Sequence, residues 1–118
     1  MKRAITISIL FLGIANVTTS CKKQNLTKDQ WIISQATDLE DGTDITSDFT
    51  GEIWEYDKDG TYKENGTVKG TWAFSNGKED LIITKLDNST ETYKILKLKK
   101  KDMWIEELGQ EEIHLTKY

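Results

Sequence analysis

The chain beyond position 28 predicts an all-β domain, an eight-stranded antiparallel up-and-down barrel. Three observations predict it. Turn dipeptides recur along the chain: Asp59-Gly60, Asn65-Gly66, Asn76-Gly77, Asp87-Asn88 and Leu108-Gly109. Asn-Gly and Asp-Gly supply the positive φ that tight hairpins need. Between these turns lie β-branched and aromatic runs that alternate with period two. From Thr27 onward no window holds a sustained 3.6-residue apolar period. A chain of 118 residues has room for one such domain.

The first segment is an address rather than structure. Lys2 and Arg3 precede an uncharged apolar run from Ala4 to Val17, and Thr18-Thr19-Ser20 end it with small residues. Fourteen residues fall short of the roughly 20 needed to span a bilayer. Positions 1–20 therefore read as a secretory signal peptide. Cys21 follows at once and is the only cysteine. This arrangement resembles the lipobox of bacterial lipoproteins, with Thr18 where Leu is usual. The resemblance implies cleavage before Cys21 and acylation of both its sulfur and its new amine. Two or three acyl chains give stable anchoring where one gives only marginal binding. Lys22, in place of the Asp that retains similar lipoproteins at the inner membrane, implies the outer membrane. No acidic export tag follows in Lys22-Lys23-Gln24-Asn25, which implies the periplasmic face. Residues 21–28 are then the lipidated Cys and a polar tether, and 29–118 the β domain.

The strands follow in order. The first is 30–36, around Trp31, and the connection 37–49 is the single long one. The hairpin 50–57 and 60–64 turns on Asp59-Gly60, and Asn65-Gly66 leads into 67–74. There Val68, Gly70, Trp72 and Phe74 share one face, and Lys69, Thr71 and Ala73 the other. Strand 79–84 follows Asn76-Gly77, and 90–98 follows Asp87-Asn88. In 90–98, Tyr93 and Ile95 oppose Leu96 and Leu98, which requires burial on both faces or a bulge. Strands 102–107 and 111–116 complete the set, alternating through Met103 and Ile105, then Ile113 and Leu115. A closed barrel removes the exposed edges that eight short strands would leave. The alternative is a two-sheet sandwich, whose Greek-key crossings need more long connections than this chain has.

Composition narrows the function. Sixteen basic against twenty acidic side chains give −4. Loss of Lys2 and Arg3 with the signal leaves 14 against 20, or −6. That charge argues against nucleic acid, which needs a basic surface. One Cys and one His leave no internal disulfide and no Cys-rich zinc site. No cofactor is expected.

Several short motifs run in sequence from Trp31 through Tyr56-Asp57-Lys58-Asp59-Gly60-Thr61-Tyr62 and Gly70-Thr71-Trp72. Tyr93-Lys94-Ile95-Leu96-Lys97-Leu98 and Met103-Trp104-Ile105 continue them. Over residues 28–118 the chain resembles the lipocalin-like domain of small Gram-negative lipoproteins. Asp29-Gln30-Trp31 keeps the Trp of the wider superfamily's Gly-x-Trp without its Gly. The resemblance implies a lipocalin-like β-barrel.

The residues support a non-catalytic reading. His114 lies opposite Ile113 and Leu115 on its strand, with no Gly-x-Ser-x-Gly elbow or free Cys nucleophile to activate. A carboxylate pair inside the barrel would reopen catalysis; Glu52, Glu55 and Glu64 are the strand candidates from the first half. Asp57-Lys58-Asp59-Gly60 lacks the later Glu of a calcium loop and reads as a hairpin turn. In 37–49, Asp38, Glu40, Asp41, Asp44 and Asp48 read as a solvated loop, with calcium as the competing reading. Its length places it at a barrel mouth as a candidate lid. Lys97 to Lys101 form a basic hairpin tip, solvated or touching anionic lipid. Trp54, Tyr56, Trp72, Phe74 and Tyr93 are the candidate lumen residues. Such aromatics either line a pocket for a small apolar ligand or simply fill an eight-stranded interior. Two functions remain open: an envelope carrier of a small apolar ligand, or a solid barrel that binds an envelope protein or glycan, for example as an enzyme inhibitor.

Overall fold

A computed structural model of the chain describes residues 21–118; the signal peptide assigned to 1–20 lies outside them. Eight strands follow in chain order: β1 Trp31–Asp38, β2 Ile53–Tyr56, β3 Thr61–Glu64, β4 Thr67–Ser75, β5 Asp80–Lys85, β6 Thr90–Leu98, β7 Asp102–Glu107 and β8 Glu111–Lys117. Each pairs antiparallel with its neighbour, and β8 pairs back onto β1, so the sheet is a closed up-and-down barrel. Closure excludes the sandwich alternative. Asn65 and Gly66 both take positive φ (53° and 77°), the pattern of the tight turn that joins β3 to β4.

Three β-bulges decide which side chains point inward. Ile95 pairs with Ile105 and Lys97 with Trp104, so Leu96 is the extra residue in β6. Tyr93 and Leu98 thus both face the core, while Leu96 is turned out. A second bulge lies at Lys69, because Tyr62 pairs with Gly70 and Lys63 with Val68. The face expected for Val68 is corrected by it: Gly70 and Trp72 are buried, but Val68 is exposed. The third, at Ser34, keeps Trp31 and Ala36 both inside β1.

The tether expected at 21–28 is also corrected. Residues 21–27 are helical, and Leu26 is fully buried against the end of the barrel. The Trp31 indole Nε1–H donates to the Leu26 carbonyl at 3.0 Å. One apolar residue in seven carries no periodic signal, yet a barrel end exposes apolar side chains that a single Leu can cover. The helix, the β2–β3, β4–β5 and β6–β7 turns and the end of β8 all gather at this closed end. The opposite end, where β1 runs out and β8 begins, is the mouth.

Candidate functional site

All five candidate lumen residues point into the barrel. Trp54, Tyr56, Trp72 and Tyr93 are buried, and Phe74 packs half-buried against them. Phe49, Trp54, Tyr62, Tyr56, Trp72 and Phe74 form a continuous chain of aromatic contacts, with centroids 5.2 to 6.5 Å apart. Trp72 Nε1–H donates to the Asp57 carbonyl at 2.7 Å, and Trp54 Nε1–H to Glu52 Oε1 at 3.1 Å. Both indoles are satisfied by the protein itself, and the rings pack together in the buried core. Tyr62 and Trp31 belong to the same core.

The mouth is built by continuing each strand's inward alternation one step outward. Past Tyr62 comes Glu64, past Ile83 comes Lys85, and before Tyr93 comes Glu91. Past Ile105 comes Glu107, and before Ile113 comes Glu111; these two pair directly across β7 and β8. Tyr62, Glu64, Lys69, Ile83, Lys85 and Glu91 line a cleft of about 190 Å³ there. The Tyr62 hydroxyl donates to Glu64 Oε2 at 2.7 Å, and Lys85 Nζ lies 3.5 Å from Glu91. Burial, then the nearby Glu91, pushes the Glu107 carboxyl above the usual glutamate value. Burial, then Glu107 itself, pushes Glu111 up as well. Burial raises the Tyr56 and Tyr93 phenols far above their usual value, with the mouth glutamates adding to the effect. Glu91, Glu107 and Glu111 carry no signal in the sequence, where each is an ordinary polar residue at a strand end. Of the strand carboxylates expected from the first half of the chain, Glu64 is at the mouth, Glu52 binds the Trp54 indole, and Glu55 accepts from Gln30 Nε2 at 2.8 Å.

The long connection is tied to the barrel at both its ends, Leu39 N–H donating to the Gln110 carbonyl at 2.8 Å. It folds back beside β1, where Ile45 N–H donates to the Ala36 carbonyl and Ala36 N–H to Thr46 Oγ1, both at 2.9 Å. β1 and β2 pair only at Trp31↔Trp54 and Ile32↔Ile53, so this segment completes the wall above them. Its carboxylates are occupied locally. Asp41 accepts from Thr43 N–H and Oγ1–H, and Asp44 from Thr46 N–H and Oγ1–H. These bonds hold both carboxyls below the usual aspartate value. Among the described residues, no group of three His, Cys, Asp or Glu is arranged to hold a metal ion. Asp59 caps its own turn through Thr61 N–H at 3.0 Å.

On the outer wall His114 stacks on Trp104 at 4.0 Å and sits 2.6 Å from Glu112. Lys97 Nζ covers the Trp104 ring at 4.7 Å. The exposed Cys21 lies at the closed end, the end to which the topology also brings Lys22, Lys23, Lys58, Lys78 and Lys99–Lys101 from the helix and three turns. Lys22 Nζ donates to the Lys78 carbonyl at 2.9 Å. The molecule is therefore basic at the Cys21 end and acidic at the mouth.

With this geometry in place, the fold is a closed eight-stranded up-and-down β-barrel with aromatic rings facing inward. No protein-family description matches the sequence, and no characterised protein matches it either. The structure is similar to a lipocalin-like protein from Bacteroides uniformis ATCC 8492, with a TM-score of 0.64 and 15% identity. The match covers 80% of this chain and 99% of that one. At this identity the likeness is one of fold.

Proposed function

We propose that the chain is a lipid-anchored, non-catalytic binding protein of the bacterial envelope, acting as a solid-core interaction module. The observation that carries this reading is the filled interior. Leu26 closes one end, the aromatic chain occupies the middle, and the cleft at the mouth is about 190 Å³. Pockets that hold drug-sized molecules measure roughly 300–1,000 Å³. The geometry thus favours recognition at the mouth and outer surface over carriage of an apolar ligand inside. The charge polarity supports an orientation. Acyl chains on Cys21 would bring the lysine-rich end to the membrane, where each basic side chain near an anionic surface is worth about 1 kcal/mol. The acidic mouth then faces the periplasm from the outer membrane. A non-catalytic role is supported by His114, which is engaged by Glu112 and Trp104 on the outer wall.

Fractionation tests the anchor. Cys21→Ala is expected to move the protein from membranes to the soluble fraction, and a variant that still pellets with membranes overturns the anchor. Native mass spectrometry of protein purified from its host tests the solid core. The expected mass is that of the processed, acylated chain alone; a co-purified small apolar molecule would restore the carrier reading.

A further inference from the structure

We propose that an open pocket at the closed end of the barrel binds the phosphate of an anionic lipid headgroup between Lys23, Lys58 and Lys78, with the lipid's glycerol and acyl carbons against Phe74. The proposal rests on the reading of the chain as an envelope protein for the source of that lipid.

Charge and shape are the first ground. Lys23 from the helical segment, Lys58 from the β2–β3 turn and Lys78 from the β4–β5 turn line one pocket of about 410 Å³, together with Trp72 and Phe74. Among the described residues the ion pairs use Lys63, Lys85, His114 and Lys117, so no carboxylate neutralises the three pocket lysines. Asp59 is the one carboxylate that lines the pocket, and it accepts from the Thr61 N–H of its own turn at 3.0 Å. Three positive charges thus stand against one negative, on a chain whose net charge is −4. A molecule basic at one end only suits a flat anionic surface rather than a long polyanion that would run along its acidic remainder.

The backbone at Lys78 is the second, independent ground. Asn76, Gly77 and Lys78 all take positive φ, at 54°, 63° and 68°. Asn and Gly adopt that region readily, whereas a lysine there is strained. The turn would form more easily without it, so the strain points to a use for the side chain. Its Nζ lies over the half-buried Phe74 ring, 5.6 Å from the centroid. The Lys78 carbonyl accepts from Lys22 Nζ at 2.9 Å, which ties the helical segment to this turn. Buried Leu26 holds the other end of the segment, so both sides of the pocket are set before a ligand arrives.

The ligand chemistry follows from the lining. Each ammonium offers three N–H donors to phosphate oxygens, and charge on both partners strengthens the bonds. Phe74 and Trp72 add an apolar surface that a free phosphate cannot use and that glycerol and acyl carbons can. The group that fits is therefore a phosphate joined to an apolar body. Cys21 is exposed at this same end, so acyl chains there would hold the pocket at the lipid surface.

Cosedimentation with vesicles tests the pocket, using the Cys21→Ala protein recovered from whichever cell fraction holds it. The vesicles are phosphatidylcholine alone, or equal parts of phosphatidylcholine and phosphatidylglycerol, and the readout is the ratio of the two partition coefficients. A lysine that meets an anionic surface is worth about fivefold, so three predict a ratio of about a hundred. Lys58→Gln with Lys78→Gln is expected to lower it about twentyfold. Lys99→Gln with Lys100→Gln removes the same charge from the same end outside the pocket, and should cost clearly less. Lys69→Gln with Lys85→Gln, at the mouth, should leave the ratio unchanged. Lys78→Asn suits the backbone at that position, so it should keep the thermal melt and still lower the ratio. Glycerol phosphate, as the free-phosphate probe, should not displace the protein from the vesicles. The proposal is overturned if both vesicles bind alike, if the Lys99 and Lys100 pair or the mouth pair costs as much as the pocket pair, or if glycerol phosphate displaces the protein. Fractionation of cells reports the anchor and the vesicle ratio reports the pocket, so either can fail alone.

Discussion

Replacing Leu26 by alanine tests the helical plug at the closed end of the barrel. A Leu in a solvated tether would lose almost nothing, because surface substitutions usually stay within ±0.5 kcal/mol. Here Leu26 is 0% exposed and packs in the same core as Trp31. Truncating a buried Leu removes its transfer free energy and leaves a cavity, at about 2 to 5 kcal/mol. Two features place this site in the lower half of that range. Alanine costs the helical segment nothing in propensity. The short segment can also settle into the gap, because the rigid wall lies on only one side of it. The expected loss is about 2 to 3 kcal/mol. For a domain of this size that lowers Tm by about 10 °C or more. The assay is urea unfolding followed by tryptophan emission, since the Trp31 indole bonds the Leu26 carbonyl and reports the plug directly. The midpoint should fall while the slope is unchanged. Leu86→Ala, at a site 72% exposed, is the control and should stay within about 0.5 kcal/mol. A Leu26→Ala loss as small as that of the control would refute the plug and return 21–28 to a tether.

Three further outcomes follow from the packing. Gly70→Ala should destabilise by at least about 3 kcal/mol: its Cβ would lie 2.0 Å from the Thr84 carbonyl oxygen at a φ of 155°, so overpacking adds to backbone strain. A melt within 1 °C of the parent would place the bulge elsewhere. Trp72→Ala should cost about 3 to 5 kcal/mol in denaturant unfolding, because the ring touches both Tyr56 and Phe74 in the core; a loss under about 1 kcal/mol would invert its face. Glu107→Gln should gain a few tenths to about 1 kcal/mol at neutral pH by dissolving the like-charge pair with Glu111. The pH dependence follows the raised folded values of Glu107 and Glu111. Stabilisation by their protonation is complete below the ordinary glutamate value and is lost as pH rises through the folded ones. The variant's advantage should therefore vanish in melts near pH 4, and an advantage constant across pH would show the pair is not titrating. Below that range both proteins weaken as Asp41, Asp44, Asp59 and Asp87, whose carboxyls sit below their usual value, take up protons.

The strands were legible because alternation and turn chemistry are local. Asn65-Gly66 announces its hairpin through two residues that tolerate positive φ, and Met103 with Ile105 announces an inward face by spacing alone. The five lumen aromatics were legible for the same reason. The split of Tyr93 and Ile95 from Leu96 and Leu98 left burial on both faces or a bulge, and the structure has the bulge, at Leu96. Strand β2 shows the limit at the boundaries: 50–57 was expected, but Gly51 at a φ of 80° delays the strand to Ile53.

The all-β class, the eight strands, their turns and most of their inward faces can be read from the chain before it folds. Each is set by a residue and its near neighbours. The burial of Leu26, the pinning of the long connection along β1 and the gathering of Glu64, Glu91, Glu107 and Glu111 at one end emerge only in the folded barrel, whose closure the strand count and short connections had already favoured. Those glutamates come from four strands, and each looks in sequence like an ordinary polar residue at a strand end. Closing the barrel brings them to one rim, because inward positions at the same end of neighbouring strands then share that end.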